Sequence, residues 1–479
     1  MRLFTVIAAA VLLATGGNAD DQAAPDRTSL AETERQAALL RDRALEGSAA
    51  YAIVESLTTE VGPRLAGTPD EARARDWAVA KLRALGFDDV RVEPFEMTTW
   101  VRGLETGAIV SPYPQPLLLT ALGNSGATGP DGITGTLVPF ATLADFAEAP
   151  AESVAGKIVY VGHAMDKTQD GSSYGFFGNV RRRGPAMATA KGAAAILIRS
   201  IGTDSRRFPH TGGTRFNDGQ TPIPAAAVSN PDADQIERIV ALAADGGTPV
   251  TVSLTLTPRV AGTTLSGNVI VDLKGSERPD EIVITGGHLD SWDLGTGAVD
   301  DGAGVAITTA AVKLIRDAGL TPKRTIRLVL WGAEEVGLLG AQAYARAHAD
   351  EIANHVTGSE SDFGAERIWK LHTGPVSDEG RALTARIARL LAPLGIAPGP
   401  ENATSGGPDL IPLNRAGMPV LRLVQDGTDY FDLHHTPDDT LDKIDPAVLD
   451  QNVAAYAVLL WMVANSDVDF RRTGTGADG

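Results

Sequence analysis

"EIVITGGHLDSWDLGTGAVDDGAG", residues 281–304, decides how the chain is read. Its first seven residues form a short apolar run with the β-branched content of a buried strand. Within 286–304, one histidine, four aspartates and six glycines then share nineteen positions. A buried strand, a glycine-rich acidic loop and a helical pattern over 301–317 make the strand–loop–helix unit of an α/β protein. In such folds ligands gather beyond the carboxyl ends of the strands. The loop is therefore either a polar turn decorated with helix caps or a hard-metal site whose loops need glycine to bend.

The same rhythm recurs outward from this stretch. "RTIRLVLW" (324–331) reads as a strand followed by a helix over 336–348, "MPVLRLVQD" (418–426) as another strand, and "DPAVLDQNVAAYAVLLWMVAN" (445–465) as a closing helix. Upstream, two helical stretches flank "GPRLAGTPD" (62–70), and "DDVRVEPFEMTTWVRG" (88–103) reads as a strand. This alternation predicts an α/β fold with a mostly parallel mixed sheet and helices on both faces. Between 120 and 258 the texture changes to short β and βα pieces such as "GKIVYVG" (156–162), "GAAAILIRS" (192–200) and "GTPVTVSLTLT" (247–257). With no acid–histidine cluster of its own, that segment reads as an inserted, β-rich second domain. The expected organisation is a leader at 1–19, catalytic-domain segments at 20–119 and 259–467, the insert at 120–258, and a disordered tail at 468–479.

The first residues, "MRLFTVIAAAVLLATGGNAD", place one basic residue before a short apolar run and then small residues, the layout of a secretory signal cut after Ala19. The run is too short to span a bilayer, which takes about 20 residues. The expectation is an exported protein, periplasmic or secreted, with no membrane contact once the leader is removed. It contains no cysteine, so no disulfide supports it. A net charge of −18, from 60 acidic and 42 basic side chains, argues against a nucleic-acid surface.

Five places at strand ends or in loops carry groups able to hold a metal: His288 with Asp290, Asp300 with Asp301, Glu334 with Glu335, Glu360-Ser361-Asp362, and His434 with His435. Each has a plain alternative. Asp300 or Asp301 suits a helix N-cap, the glutamate pair suits an acidic helix start, and the rest suit ordinary turns. What these alternatives leave unexplained is why all five fall on one rim of the expected sheet. Two histidines and three carboxylates suit a pair of zinc ions with one carboxylate bridging.

The stretches "GHLDSWDLGTGAVDDGAG", "RTIRLVLWGAEEVGLLGA", "ESDFG" and "HHTPDDT" resemble the co-catalytic di-zinc aminopeptidase and carboxypeptidase family of clan MH, in its carboxypeptidase Q-like branch. The middle of the chain joins in through "GKIVYV", "AAAILIRS", "PHTGG" and "DGQTPIPAAAVS". The resemblance implies a zinc-exopeptidase (phosphorylase/hydrolase-like) fold with a protease-associated insert and two zinc ions per chain. His288, Asp300, Glu335, Asp362 and His435 would be the ligands, with Asp300 bridging. Glu334 would be the general base to hydroxide formed between the ions, and Asp290 the carboxylate that orients His288. The Asp300–Asp301 bond would be cis. His434 stands where many relatives carry tyrosine and would donate to the oxyanion.

The implied activity is hydrolysis of dipeptides or short peptides. An aminopeptidase on longer chains and a true carboxypeptidase remain open beside it, with a metal-free receptor-like protein and a one-zinc cyclase further off. The motifs assign no substrate-binding residue. The insert would act as a lid or support a homodimer. His163, His210 and Arg181-Arg182-Arg183 within it read as solvated surface residues.

Overall fold

The computed structural model describes residues 27–471; the leader read at 1–19 and the tail beyond 471 lie outside them. The main sheet contains β1 (Arg91–Val101), β2 (Arg259–Leu273), β3 (Arg278–His288), β4 (Arg324–Trp331) and β5 (His355–Glu360), in the spatial order β1-β2-β4-β3-β5. A bridge between Gly358 and Val420 joins β5 to a smaller sheet containing β6 (Ile368–Thr373) and β7 (Leu421–Gln425).

All eight residues of β4 are buried, and they alternate between two cores. Ile326, Leu328 and Leu330 join the core that also takes α4 (Ala303–Asp317) and α6 (Pro446–Ala464). Val329 and Trp331 face α5 (Leu339–Ala347) through Ala341 and Tyr344. Burial on both faces is why the strand reads as a continuous apolar run. α6 is apolar around its whole circumference for the same reason. Although long and apolar enough to cross a membrane, 83% of its window is buried inside the protein, so it is a core helix.

The expectation of a mostly parallel sheet needs correction. β4/β3 and β3/β5 pair parallel, but β1/β2 and β2/β4 pair antiparallel. The sequence reading named no strand at β5, and it also missed β2. Its first half, "RVAGTTL", alternates too weakly to announce a strand and pairs only with β1, leaving most of that half exposed. The parallel part is the functional part. Gly286 pairs with Val329 on one side and Glu360 on the other, so β3, β4 and β5 end together along one edge.

A second body carries its own eight-stranded sheet, built from strands between Glu105 and Leu256. It begins ahead of the expected boundary at 120, because Glu105–Ser111 pairs with Thr251–Leu256. It is also less purely β than expected. Ile158–Val161, Ala195–Arg199 and Ala225–Val228 form a parallel centre, packed by α3 (Asn179–Ala190) and the helix Asn230–Asp245. One face of its sheet joins the main core through residues such as Val159, Ile196 and Ala225, while the other builds a second core into which Trp292 from the loop after β3 is inserted. The two bodies thus grip the same loop.

Candidate metal centre

The ends of β3, β4 and β5 deliver the first groups. His288 is the last residue of β3 and is 1% exposed. Its Nδ1 lies 2.9 Å from the backbone oxygen of Asp290, which takes up that nitrogen as a donor and leaves Nε2 facing inward. Nε2 lies 3.2 Å from Asp300 Oδ1 and 3.7 Å from Asp362 Oδ1.

The glycine-rich loop then turns sharply before α4. Asp301 is the residue that caps the helix, accepting from the N–H groups of His288 (2.9 Å) and Gly304 (3.1 Å). Its neighbour Asp300 is left free to face the cavity. The capping reading of this pair is met by Asp301, and the bond between the two is cis. Glycine serves packing here more than bending. Only Gly297 among 295, 297, 302 and 304 has a left-handed φ, at +59°, whereas a Cβ on Gly304 would lie 1.9 Å from the Ser361 oxygen.

Glu334 and Glu335 sit on a turn after β4, and the helix expected from 336 begins only at Leu339. Asp290 holds that turn: its Oδ1 accepts from the Glu334 N–H (3.0 Å) and its Oδ2 from that of Glu335 (3.3 Å). The Asp290 carboxylate is 3.8 Å from His288 Nδ1. It therefore positions the two glutamates, while its backbone oxygen, rather than the carboxylate, orients the histidine.

The last groups come from the loop after β7. His435, at φ +62°, points Nε2 at Glu335 Oε2 (2.9 Å) and Asp300 Oδ2 (3.3 Å). His434 stacks on it with ring centroids 3.5 Å apart and places Nε2 3.6 Å from Asp300 Oδ2. All five expected ligands are thus brought together, and Asp300 stands between two groups, with one oxygen toward His288 and the other toward His435.

The electrostatics are those of a cluster short of positive charge. Burial works against a charged His288, yet Asp362 and Asp300 hold its pKa well above the usual histidine range. Burial and nearby carboxylates push Asp301 and Glu334 well above theirs. Asp300 Oδ2, Glu335 Oε1 and His434 Nδ1 are buried with no hydrogen-bond partner. Unpaired buried oxygens on converging carboxylates, beside inward-facing imidazole nitrogens, fit a zinc ion. Two compatible ligand groups are His288-Asp300-Glu335 and Asp300-His434-His435.

Several supporting residues escaped the sequence reading. Asp439 accepts from the Val299 and Asp300 N–H groups (2.6 and 3.2 Å), and burial raises its pKa to about 7. It lay inside the quoted "HHTPDDT", but nothing local separated it from Asp438. Arg64 is fully buried and donates to the carbonyls of Thr296 (2.7 Å) and Gly297 (2.8 Å) beneath the loop.

From the second body, Arg181 and His210 are buried, not solvated as expected. His210 bridges Asp204 (2.6 Å) and the backbone oxygen of His434 (2.7 Å). Arg181 donates to the Thr211 oxygen at 3.1 Å, and His435 Nδ1 lies 3.2 Å from both that oxygen and Arg181 Nη1. Over all this opens a cavity of about 700 Å³ lined by both bodies.

The family model for peptidase family M28 matches residues 268–460. Carboxypeptidase Q of Homo sapiens is 35% identical over 419 residues, covering 87% of this chain and 85% of the relative. That of Mus musculus is 34% identical over 412 residues, covering 86% and 84%. The solved structure of a peptidase M28 precursor from Shewanella amazonensis is 49% identical, covers 92% of this chain and 99% of its own, and superposes with a TM-score of 0.89. A zinc aminopeptidase from Bacillus subtilis shares the fold at 20% identity, with a TM-score of 0.62 over 87% of this chain and 95% of its own.

Proposed function

The chain belongs to peptidase family M28 and is a metal-dependent hydrolase, and from that premise we propose an exported exopeptidase that holds two zinc ions and cleaves dipeptides or other short peptides. The observation that carries the proposal is Asp300, whose two oxygens lie 3.2 Å and 3.3 Å from the Nε2 atoms of two different histidines. His288, Asp300 and Asp362 would hold one ion, and Asp300, Glu335 and His435 the other. When bound, the pair would supply Lewis acidity for a peptide carbonyl and for the attacking water.

The chain's own groups supply the rest. Glu334, fixed through its N–H to Asp290, takes the proton of the water and returns it to the leaving amine. Its carboxyl is held well above the usual range, chiefly by burial, which suits a group that must accept a proton readily. His434 stays neutral because burial and then His435 hold its pKa well below the usual value. A neutral ring keeps one N–H for the oxyanion of the tetrahedral intermediate. Chain length is selected by the second body, which we read as a protease-associated-like insert walling a cavity of small-molecule size.

Elemental analysis and a cleavage panel test this reading. The expected result is two zinc ions per chain, loss of turnover on chelation, and faster cleavage of dipeptides than of longer peptides. An active preparation free of metal would overturn it.

A further inference from the structure

A guanidinium without an ion pair can meet a carboxylate through charge-assisted hydrogen bonds, and at this cavity Arg182 is half-buried and Arg215 exposed. Arg181 is accounted for by the Thr211 oxygen and the Tyr174 hydroxyl. Arg182 and Arg215, which also line the cavity, are not. Neither makes an ion pair among the described residues. The Arg182 guanidinium donates to the Gly175 backbone oxygen (2.9 Å) and lies over the Tyr174 ring, and the Arg215 N–H donates to the Arg182 backbone oxygen (3.3 Å), which fastens the two residues side by side.

Their like charges act on one another. Burial lowers the Arg182 pKa, Tyr174 opposes that, and the neighbouring Arg181 and Arg215 add to the lowering. Arg422 on the other wall lies over the Phe363 ring, 5.8 Å from its centroid, away from the Arg182–Arg215 pair. The floor, meanwhile, is a bed of carboxylates. Because bound zinc would offset those carboxylates, the pull on an anionic substrate group toward this part of the rim comes from the unpaired arginines themselves.

That place lies within a short reach of the reacting centre. The Arg182 guanidinium sits 5.4 Å from the Tyr174 ring, and that ring sits 5.1 Å from the ring of His434. Each peptide residue adds at most about 3.3–3.6 Å, so a carboxylate one or two residues beyond the scissile carbonyl spans the gap.

We propose that Arg182 and Arg215 form a carboxylate-binding subsite that receives the anionic end of a short peptide whose scissile carbonyl lies at Asp300 and His434. This rests on the peptidase reading above and deepens it. The cavity would prefer peptides ending just past the cleaved bond, with the second body setting the distance. The carboxylate has two sources, the free C-terminus or an acidic side chain, and both are the same chemistry for a guanidinium pair.

The test compares three substrates with one cleavable bond: a dipeptide acid, the same dipeptide as its C-terminal amide, and an amide whose last residue is aspartate. The zinc-loaded wild type is expected to show kcat/KM at least about 10-fold higher for the acid than for the plain amide, carried by KM. Arg182→Gln and Arg215→Gln are expected to draw that ratio toward one, and Arg215→Lys to keep part of it.

Binding of the acid and the amide to zinc-loaded Glu334→Gln protein, measured by calorimetry, should show the same ratio without turnover. If the aspartyl amide matches the acid, the subsite stands and reads side chains as well as chain ends. Equal cleavage of acid and plain amide by the wild type overturns the subsite, as does a ratio unchanged in both glutamine variants. Hydrolysis of none of the three overturns the peptidase reading instead.

Discussion

The floor and the wall of the cavity are built in opposite ways. His288, Glu334, Glu335 and Asp362 stand on or within a few residues of the ends of β3, β4 and β5, and Asp300, His434 and His435 on the loops that leave β3 and β7, so the sheet edge organises the floor. The wall groups come from the second body, and they reach the floor across 224 residues from His210 to His434 and 254 from Arg181 to His435. The floor is acidic and the wall cationic and aromatic. A local motif can write the first, whereas only the folded chain assembles the second.

Breaking the floor should cost most. Glu334→Gln keeps size and the hydrogen bond to Asp290 but cannot take a proton, so turnover should fall by about 10²–10⁴-fold with zinc retained. Zinc lost together with activity would reassign the base to Glu335. His434→Ala should lower kcat by about 10²–10³-fold with little change in KM, the range for one oxyanion donor. Full zinc with normal kcat would leave only His435 functional in that pair.

The wall should show a different signature. Arg181→Ala frees the Thr211 oxygen that His435 Nδ1 uses, and zinc affinity is expected to fall about 10–100-fold. Titration with a competing chelator measures this. Unchanged affinity would mean that the wall only covers the floor.

A histidine of the same sheet outside the cavity calibrates both. His355 bonds Tyr344 (2.9 Å) and the Glu351 oxygen (3.0 Å), and burial lowers its pKa to about 4. The unfolded chain then binds a proton between about pH 4 and 6.5 that the folded chain refuses. Stability should therefore be complete above that window and fall by about 3 kcal/mol as pH drops through it. Denaturant titrations across the window should show that slope in wild type and lose it in His355→Gln, with kcat at neutral pH little altered.

The same contrast explains what the sequence could say. "EIVITGGHLD" and "RTIRLVLWGAEE" were legible because a buried strand and the polar group at its end are contiguous, and the structure brings His288, Asp300, Glu335, Asp362 and His435 together. Asp290 was legible as a participant but not in its hydrogen bonds, since one residue offers both a carboxylate and a carbonyl to the same imidazole. The antiparallel half of the sheet was hidden by the weak pattern of β2. Arg64, Arg181 and His210 were invisible because nothing beside them in sequence distinguishes a buried donor from a solvated one; their partners lie far along the chain.

The grip of both bodies on the His434–His435 loop has a bearing on how the protein is made. Thr211, His210 and Arg181 all meet that loop only after more than two hundred intervening residues have been closed into place. Such long-range closure comes late, since its entropy must be met before its contacts form. The ligand set is consequently one of the last things the chain completes. A chain whose second body is missing or clipped is then expected to hold metal weakly, because His435 and His434 lose the partners Thr211 and His210.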